Sequence, residues 1–541
     1  SFLVLVTMSL PSLALRQPAH FKAGTPYSAE AKVLAGKTVA PIHDAIFGVC
    51  GLKRDKLEEY GIPITRWGGN PSTRYNWKLG VDSAGNDWFF KNRGNLIAKL
   101  TDTGYLKTIQ ANQRIGATTY QTVPTIGWVA KDNHSYGYSV KKYGPQKGAE
   151  PGHPDAGNGI GKDGKPIVND PTDNAVAVGP EFIEEAVRFV AQHAGKADAK
   201  GVAYWALDNE PMIWNSTHRD VRHEPLGYDE LWERTVAYAE AIKKADPSAK
   251  VAGFCSWGWT DLFYSSVDQG KDNYRTLPDF KKHGKMPLGE WFIKKCGDYK
   301  KQHGKPLIDV FDFHWYPQGN AQGQGVYMGK GRIDDLCSLR MRSTRDLWDS
   351  KYRQESWIKS SGDQPTALLP RIRGWIETHN PGMELSLGEY NFGGSDNITG
   401  ALAQAEVFGI LAREKVDLAF IWFNPEGTQE LGWKLFRDYD GKRSRFGGQL
   451  IEVQQSSASP LSVFAAKRAD GATTVVLVNK DLHSACKLTL DLPGVAGVAE
   501  MWRVDQDTDN KIAQVKDAPS RIEGRVELTV PAASASMLVV R

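Results

Sequence analysis

The sequence predicts an α/β fold: a TIM-type (β/α)8 barrel joined to a smaller antiparallel β-sandwich. Three observations predict it. Between about residues 41 and 440, short runs rich in β-formers alternate with helical patterns, as a parallel sheet with covering helices requires. Those runs number eight, the count that closes a barrel. After about residue 445 the alternation stops, and strands follow one another with only turns between them. At 541 residues the chain also exceeds what one ordinary core holds.

Each element has its own signal. Residues 1–20 open with "SFLVLVTMSLPSLAL", apolar, uncharged and shorter than a membrane span. The stretch reads either as the remnant of a secretory signal without its basic start, or as an extra strand helped by Val4 and Val6. On the first reading the protein is secreted, extracellular or periplasmic. Residues 21–40, including "AEAKVLAG", precede the barrel and are assigned as N-terminal strand or strands of the sandwich.

The barrel is assigned to residues 41–444. Its strands are "AIFGVC" (45–50), "PITRW" (63–67), "TTYQTVP" (118–124) and "GVAYWALD" (201–208), then "KVAGFC" (250–255), "IDVFDFHWY" (308–316), "ELSLGEY" (384–390) and "LAFIWFN" (418–424). Helices lie between them. "GPEFIEEAVRFVAQHAG" places Pro180 near its start, acids in the first turn and a closing glycine, with Phe182, Ala186, Val187 and Val190 at helical spacing. "YDELWERTVAYAEAIKKADP" stops before Pro247. The Gly- and Asp-rich segments 131–179 and 317–345 read as loops over one barrel face. The sandwich, residues 445–541, is built from "SVFAAKRADGATTVVLVNKD", "CKLTLDL", "VAEMWRV", "RVELTVP" and "ASMLVV".

Composition narrows the function. The formal net charge is +4, and Lys and Arg are scattered rather than blocked, so no nucleic-acid footprint is expected. No segment is long and apolar enough to cross a membrane, and the chain is expected to act as a monomer. None of the five cysteines forms a CxxC, which argues against a disulfide framework or zinc cluster. The 17 Trp, 19 Tyr and 20 Phe suit sugar rings, whose apolar C–H faces stack on flat aromatics.

The chemistry sits at the strand ends. Strand two ends in "TRWGGN", strand four in "LDNEP", strand six in "FHWYP", strand seven in "LGEY" and strand eight in "WFN". Barrel enzymes keep catalytic groups at the C-terminal strand ends. "DNEP" alone reads equally as a turn, since Asn and Asp suit N-caps and Glu the first helical turn. Glu389, at the end of strand seven, faces strand four across a barrel mouth and changes the balance. Two facing carboxylates match glycoside hydrolysis: one protonates the leaving oxygen, the other attacks the anomeric carbon. Their pKa values must then differ. Arg66 is placed to hold Glu389 ionised, Tyr316 to donate to it, and Asn209 to bond the substrate 2-hydroxyl. His314 shares a strand face with Tyr316 by two-residue alternation; alone it would read as a satisfied core histidine, and its neighbours move it to the active site.

"RWGGNPSTRYNW" (66–77), "DNEP", "FDFHWYPQG" and "LSLGEYNFGG" together resemble glycoside hydrolase family 44, in clan A of the retaining barrel glycosidases. The resemblance runs from about residue 41 to the C-terminus. The Asn-Glu pair and the later Glu recur across the clan, whereas "RWGGNPSTRYNW" is more specific. It implies a barrel with a sandwich built from both chain ends, and endo-acting, retaining hydrolysis of β-1,4-glucan chains: cellulose-like polymers and xyloglucan. It implies Glu210 as acid/base and Glu389 as nucleophile, with no cofactor required. The chain departs from the family pattern at its N-terminus and at "FGVCG", which bears on subsite detail.

Some readings stay two-sided. Trp67 reads as substrate-binding or as barrel packing. Trp422, at the end of strand eight, is the platform candidate beside the cleaved bond, while about half of Trp67, Trp77, Trp128, Trp257 and Trp259 are expected in the core. "GKDGKPIVNDPTDN" (161–174) offers Asp170 and Asp173 as structural calcium ligands, or as ordinary Asx turns. Competing functions are another clan A glycosidase, a mannanase or xylanase, and a non-catalytic polysaccharide-binding barrel. A metal-dependent hydrolase would carry an HxH on strand one, and none is there.

Overall fold

The computed structural model describes residues 20–541, apart from 52–53, 362–363, 423–424, 426 and 509–510. The N-terminal signal remnant or extra strand, and the last residues of the eighth expected strand, therefore lie outside the described residues.

Eight parallel strands close a barrel in chain order. A strand β1 (Tyr27–Pro41) comes first and belongs elsewhere. The barrel strands are β2 (Gly48–Cys50), β3 (Ile64–Trp67), β4 (Thr118–Val123), β5 (Val202–Leu207), β6 (Lys250–Ser256), β7 (Val310–Trp315), β8 (Glu384–Tyr390) and β9 (Leu418–Ile421). All eight expected strands are present. The first is shorter than expected because Asp44–Phe47 turns as a 3-10 helix before it.

The two-residue period of a strand divides its side chains between two cores. Along β7, Phe311 and Phe313 pack outward into the helix layer, while Val310, Asp312 and His314 alternate inward. Inside, the interior is graded. Ile64, Tyr120, Ala206, Ala252, Val310, Leu418 and Phe420 fill the floor with Cys50 and Cys255, and the Tyr120 and Phe420 rings lie 4.9 Å apart. One step further along the strands the buried residues turn polar: Arg66, Asp312, His314 and Ser386.

The covering helices are α1 (Gly104–Ile115), α2 (Pro180–Ala194), α3 (Tyr228–Ala245), α4 (Leu288–His303), α5 (Asp334–Ser343), α6 (Leu368–His379), α7 (Ile398–Arg413) and α8 (Gln429–Arg437). In α2 the buried stripe is Ile183, Ala186, Val187 and Val190, an i, i+3, i+4, i+7 set. Phe182, expected on that stripe, is only partly buried and packs on Trp77. Helix α5 lies inside 317–345, where only a loop was expected.

The second sheet combines β1 with β10 (Gln449–Gln455), β11 (Leu461–Lys467), β12 (Thr473–Asn479), β13 (Cys486–Val504), β14 (Arg521–Val530) and β15 (Ser534–Val540). β10 was not anticipated, and β13 is one 19-residue strand where two were expected. Pro493-Gly494, between those two expected strands, falls where the pairing of β13 with β14 shifts register, between Asp491 and Ala496. The sheet is not wholly antiparallel. β1 pairs antiparallel with β10 through Ala31–Pro41 and parallel with β13 through Tyr27–Lys32. All five cysteines are buried and free.

Candidate active site

The C-terminal ends of the barrel strands bring six of the residues singled out by sequence into one network. Arg66 on β3 donates from Nη1 to Glu389 Oε1 at 2.6 Å and from Nη2 to Asn209 Oδ1 at 3.1 Å. Tyr316, just past β7, donates to Glu389 Oε2 at 2.8 Å. His314 sits between the acids, with Nδ1 2.9 Å from Glu210 Oε1 and 3.5 Å from Glu389 Oε2. One carboxylate oxygen of each glutamate and a ring nitrogen of His314 lie within 4.8 Å of one another. The His314 side chain is fully buried and that of Glu389 nearly so, whereas Glu210 keeps 14% of its side chain exposed.

The two carboxyls are pushed in opposite directions. Burial raises Glu210 above its ordinary value; the His314 hydrogen bond and charge counteract this, and the charge of Glu389 adds to it. Burial acts the same way on Glu389, but the charges of His314 and Arg66 and the hydrogen bonds from Arg66 and Tyr316 overcome it and hold that carboxyl low. Burial opposes protonation of His314, yet Glu389 and Glu210 together keep its pKa above the ordinary value. The two carboxyls are thereby set apart in the order that an acid beside an ionised carboxylate requires.

The backbone that presents these groups is strained and braced. Asp208 and Glu210 adopt left-handed φ angles of 67° and 49°, and Cys255 beside them one of 58°. Non-glycine residues in that region cost on the order of 1 kcal/mol or more each and persist only where surroundings fix them. Asp208 supplies much of the bracing. Buried, it accepts from Thr73 Oγ1 at 2.6 Å, from the backbone N–H of Asn209 at 2.8 Å and of Ile126 at 3.1 Å, and from Trp214 Nε1 at 3.2 Å. The amide N–H of Glu210 donates across to Cys255 O at 3.1 Å.

The segment "RWGGNPSTRYNW" now has a physical reason for its composition. Asn70 accepts from Asn209 Nδ2 at 3.0 Å, Thr73 holds Asp208, and Arg74 forms a fully buried ion pair with Asp220 at 2.9 Å. Gly69 has φ 85°, and a Cβ there would lie 2.3 Å from Trp422 Cη2. Only glycine lets the loop pass under that ring. A cleft of about 350 Å³ opens beside Trp422, bordered by Cys50, Arg66, Asp82 and Arg93.

Three sequence-selected residues stand apart. Trp67 follows Arg66 and so points the other way. It meets Tyr75 and Tyr105 edge-on at 4.6 and 5.0 Å, held against α1, and only borders the cleft. One side of its ring is thus packing and it also forms part of the cleft wall. Asp170 accepts from Thr172 N and Oγ1 at 2.9 and 2.7 Å, and Asp173 pairs with Lys142 and Tyr143. Both carboxylates are thus engaged within their own loops. Among the described residues, the His, Cys, Asp and Glu side chains that gather in a threesome with metal-compatible spacing are Glu210, His314 and Glu389, and there the Arg66 cation already occupies one carboxylate.

Sequence reasoning passed over Asn70, Asp208 and Asp261. Asp261 is buried, accepts from the N–H of Trp257 and Gly258 at 2.9 and 3.1 Å, and is pushed up to about 8, chiefly by burial. The available signal was the run of polar residues directly after strands two, four and five.

Comparison with known proteins agrees with this geometry. Residues 81–319 match the sequence profile of glycoside hydrolase family 44. The structure superposes on CelM2, a bifunctional glucanase-xylanase from a metagenome library, with a TM-score of 0.88 and 33% identity, covering 95% of this chain and 99% of that one. It superposes on a Paenibacillus polymyxa xyloglucanase of the same family, solved with xyloglucan, with a TM-score of 0.78 and 28% identity, covering 95% and 99%. Endoglucanase A of Paenibacillus lautus is 27% identical over 502 residues, 88% of this chain and 68% of that protein. The chain belongs to glycoside hydrolase family 44.

Proposed function

We propose that the protein is an endo-acting β-1,4-glucanase that accepts cellulose-like chains and xyloglucan and retains configuration at the cleaved carbon. The observation that carries this reading is the pair of carboxyls, Glu210 and Glu389, less than 5 Å apart at their nearest site atoms and shifted in opposite directions. A separation of about 5 to 5.5 Å fits direct attack by one carboxylate, whereas about 6.5 Å or more leaves room for a water and gives inversion.

In the first step Glu210 gives its proton to the glycosidic oxygen while Glu389 forms a bond to the anomeric carbon, and the leaving sugar departs as an alcohol. In the second, Glu210, now a carboxylate, takes a proton from water. The water oxygen attacks the same carbon and Glu389 leaves. Arg66 and Tyr316 carry the changing charge on Glu389, and His314 remains a donor to Glu210 as its proton comes and goes. Asn209 keeps one amide N–H beyond its bond to Asn70 for the substrate 2-hydroxyl, a contact that strengthens in the transition state. Trp422 supports the sugar ring beside the cleaved bond.

The substrate class is supported by the endoglucanase and xyloglucanase relatives. Polymers of that size do not enter cells, which favours an extracellular place of action. Proton NMR of a cello-oligosaccharide digest tests the mechanism. The β-anomer is expected first; the α-anomer appearing first would overturn it.

A further inference from the structure

A second groove lies at the opposite end of the barrel. Its walls come from Ile42, Asp44 and Phe47 ahead of β2, from the last turn of α8, from the 442–448 connection and from the β11–β12 turn. Strands enter the barrel at this end, so it faces away from Glu210 and Glu389. Its volume is about 640 Å³, within the usual range of small-ligand sites, roughly 300 to 1,000 Å³.

Its charge is one-sided. Arg437, Lys442, Arg443, Arg445 and Arg468 line it against two acids, Asp44 and Asp470. Asp438 and Asp440, in the same connection, are turned onto the backbone N–H groups of Lys442 and Arg443. Asp44 is shared between Arg437 at 2.9 Å and Arg445 at 3.0 Å, and Asp470 is taken by Arg468 at 2.6 Å. Lys442 and Arg443 are exposed; among the described residues their side chains form no ion pair, and Arg443 Nη2 donates to Glu58 O at 3.4 Å. Beneath them Arg437, 3% exposed, keeps a buried Nε–H with no partner. Buried donors are nearly always satisfied, so an unpartnered one beside surplus cations marks a place for an acceptor. Phe47, Phe436 and Phe446 lie beneath, nearly fully buried and packed on one another, with the Arg437 guanidinium over the Phe47 ring.

We propose that this groove is a second carbohydrate-binding site for a carboxylate-bearing sugar, a uronic acid unit carried on a polysaccharide. Guanidinium groups match a planar carboxylate in two-point fashion. The choice of a sugar acid over a free oxyanion rests on the reading of the enzyme as one that works on polysaccharides. The site would hold the enzyme on mixed, acidic polymer networks while the distant cleft cuts neutral chains.

The test uses polygalacturonate, which lacks β-1,4-glucosyl bonds and so does not address the cleft. In gels containing it the protein is expected to be retarded, and about 0.5 M salt should relieve this. Lys442→Glu with Arg443→Glu should weaken binding about tenfold or more, whereas Lys442→Arg with Arg443→Lys should preserve it. Equal retardation of the charge-reversed variant, with its melting temperature unchanged, would overturn the proposal. So would calorimetry in which inorganic sulfate binds as tightly as a galacturonate trimer, since the groove would then be a simple oxyanion site. Hydrolysis of a neutral β-1,4-glucan, assayed in parallel, reports separately on the active-site reading and should be the same in all variants.

Discussion

The two ends of the barrel interior are built from opposite materials. At the floor, Tyr120, Ile64, Ala252, Val310 and Phe420 make a dry, close-packed layer. At the mouth, Arg66, Asp208, His314 and Glu389 are just as buried but charged. Both layers come from the same strands, two or four residues apart: Ile64 and Arg66 on β3, Val310 and His314 on β7. Stability is concentrated at one end of a strand and chemistry at the other, so the strained, charged end is held by a floor that takes no part in the reaction.

The contrast can be broken at either end. Glu389→Ala should abolish hydrolysis, with a loss on the order of 10⁵- to 10⁶-fold in kcat, as for removal of other covalent nucleophiles. The unfolding temperature should fall as well, because the buried Arg66 guanidinium loses its carboxylate partner. Azide added to that variant should restore turnover and yield the α-glycosyl azide; a β-azide would reassign the nucleophile. At the floor, Phe420→Ala should spare the chemistry. It should cost about 3 to 5 kcal/mol of stability by denaturant titration, while the folded fraction keeps its kcat. A large fall in kcat at full folding would mean that the two layers are not separable.

The tryptophans sharpen the same boundary. Trp422→Ala should raise KM for oligosaccharides by about tenfold to a hundredfold, in line with about 1 to 3 kcal/mol for stacking on an aromatic face. Trp67→Ala should leave KM nearly unchanged and lower the unfolding midpoint, since its ring is locked between Tyr75 and Tyr105. Smallest in magnitude, but most specific, is His314→Ala. Activity requires Glu389 ionised and Glu210 protonated, so the pH profile of kcat/KM rises with ionisation of the first and falls with that of the second. His314 lowers both carboxyls. Its removal should therefore shift both limbs toward higher pH, and a shift of one limb alone would show that His314 serves only one glutamate.

Much of this was legible in the sequence because it is periodic or local. The eight barrel strands follow from alternation, and the pairing of Glu210 with Glu389 from their places after strands four and seven. The contacts of Arg66 and Tyr316 with Glu389 follow from the same reasoning. What was not legible depends on facing rather than spacing. Trp67 is indistinguishable by type from a sugar platform, and only the inward turn of its neighbour Arg66 shows that its ring meets Tyr75 and Tyr105. Asp208 looked like a strand end because its partners, Thr73 and Ile126, arrive from the loops after β3 and β4. Asp170 and Asp173 have the composition of a cation loop, but Thr172, Lys142 and Tyr143 sit within reach of their carboxylates. The continuity of β13 across Pro493-Gly494 is set by two different partner strands, which no local pattern encodes.

The position of β1 has a consequence for how the protein is made. Its antiparallel partner begins at Gln449 and its parallel partner at Cys486, so roughly 400 residues separate it from its first hydrogen-bonding neighbour. At about 5 to 20 residues per second on the ribosome, that interval is about 20 to 80 s. All eight barrel strands emerge within it. The barrel is therefore free to close around its own floor while β1 remains an unpaired edge, the feature most prone to wrong association. The charged and polar residues spread through it, Glu30, Lys32, Lys37 and Thr38, are the kind that keep a waiting strand soluble. The last hundred residues then complete the sheet and tie the chain's beginning to its end.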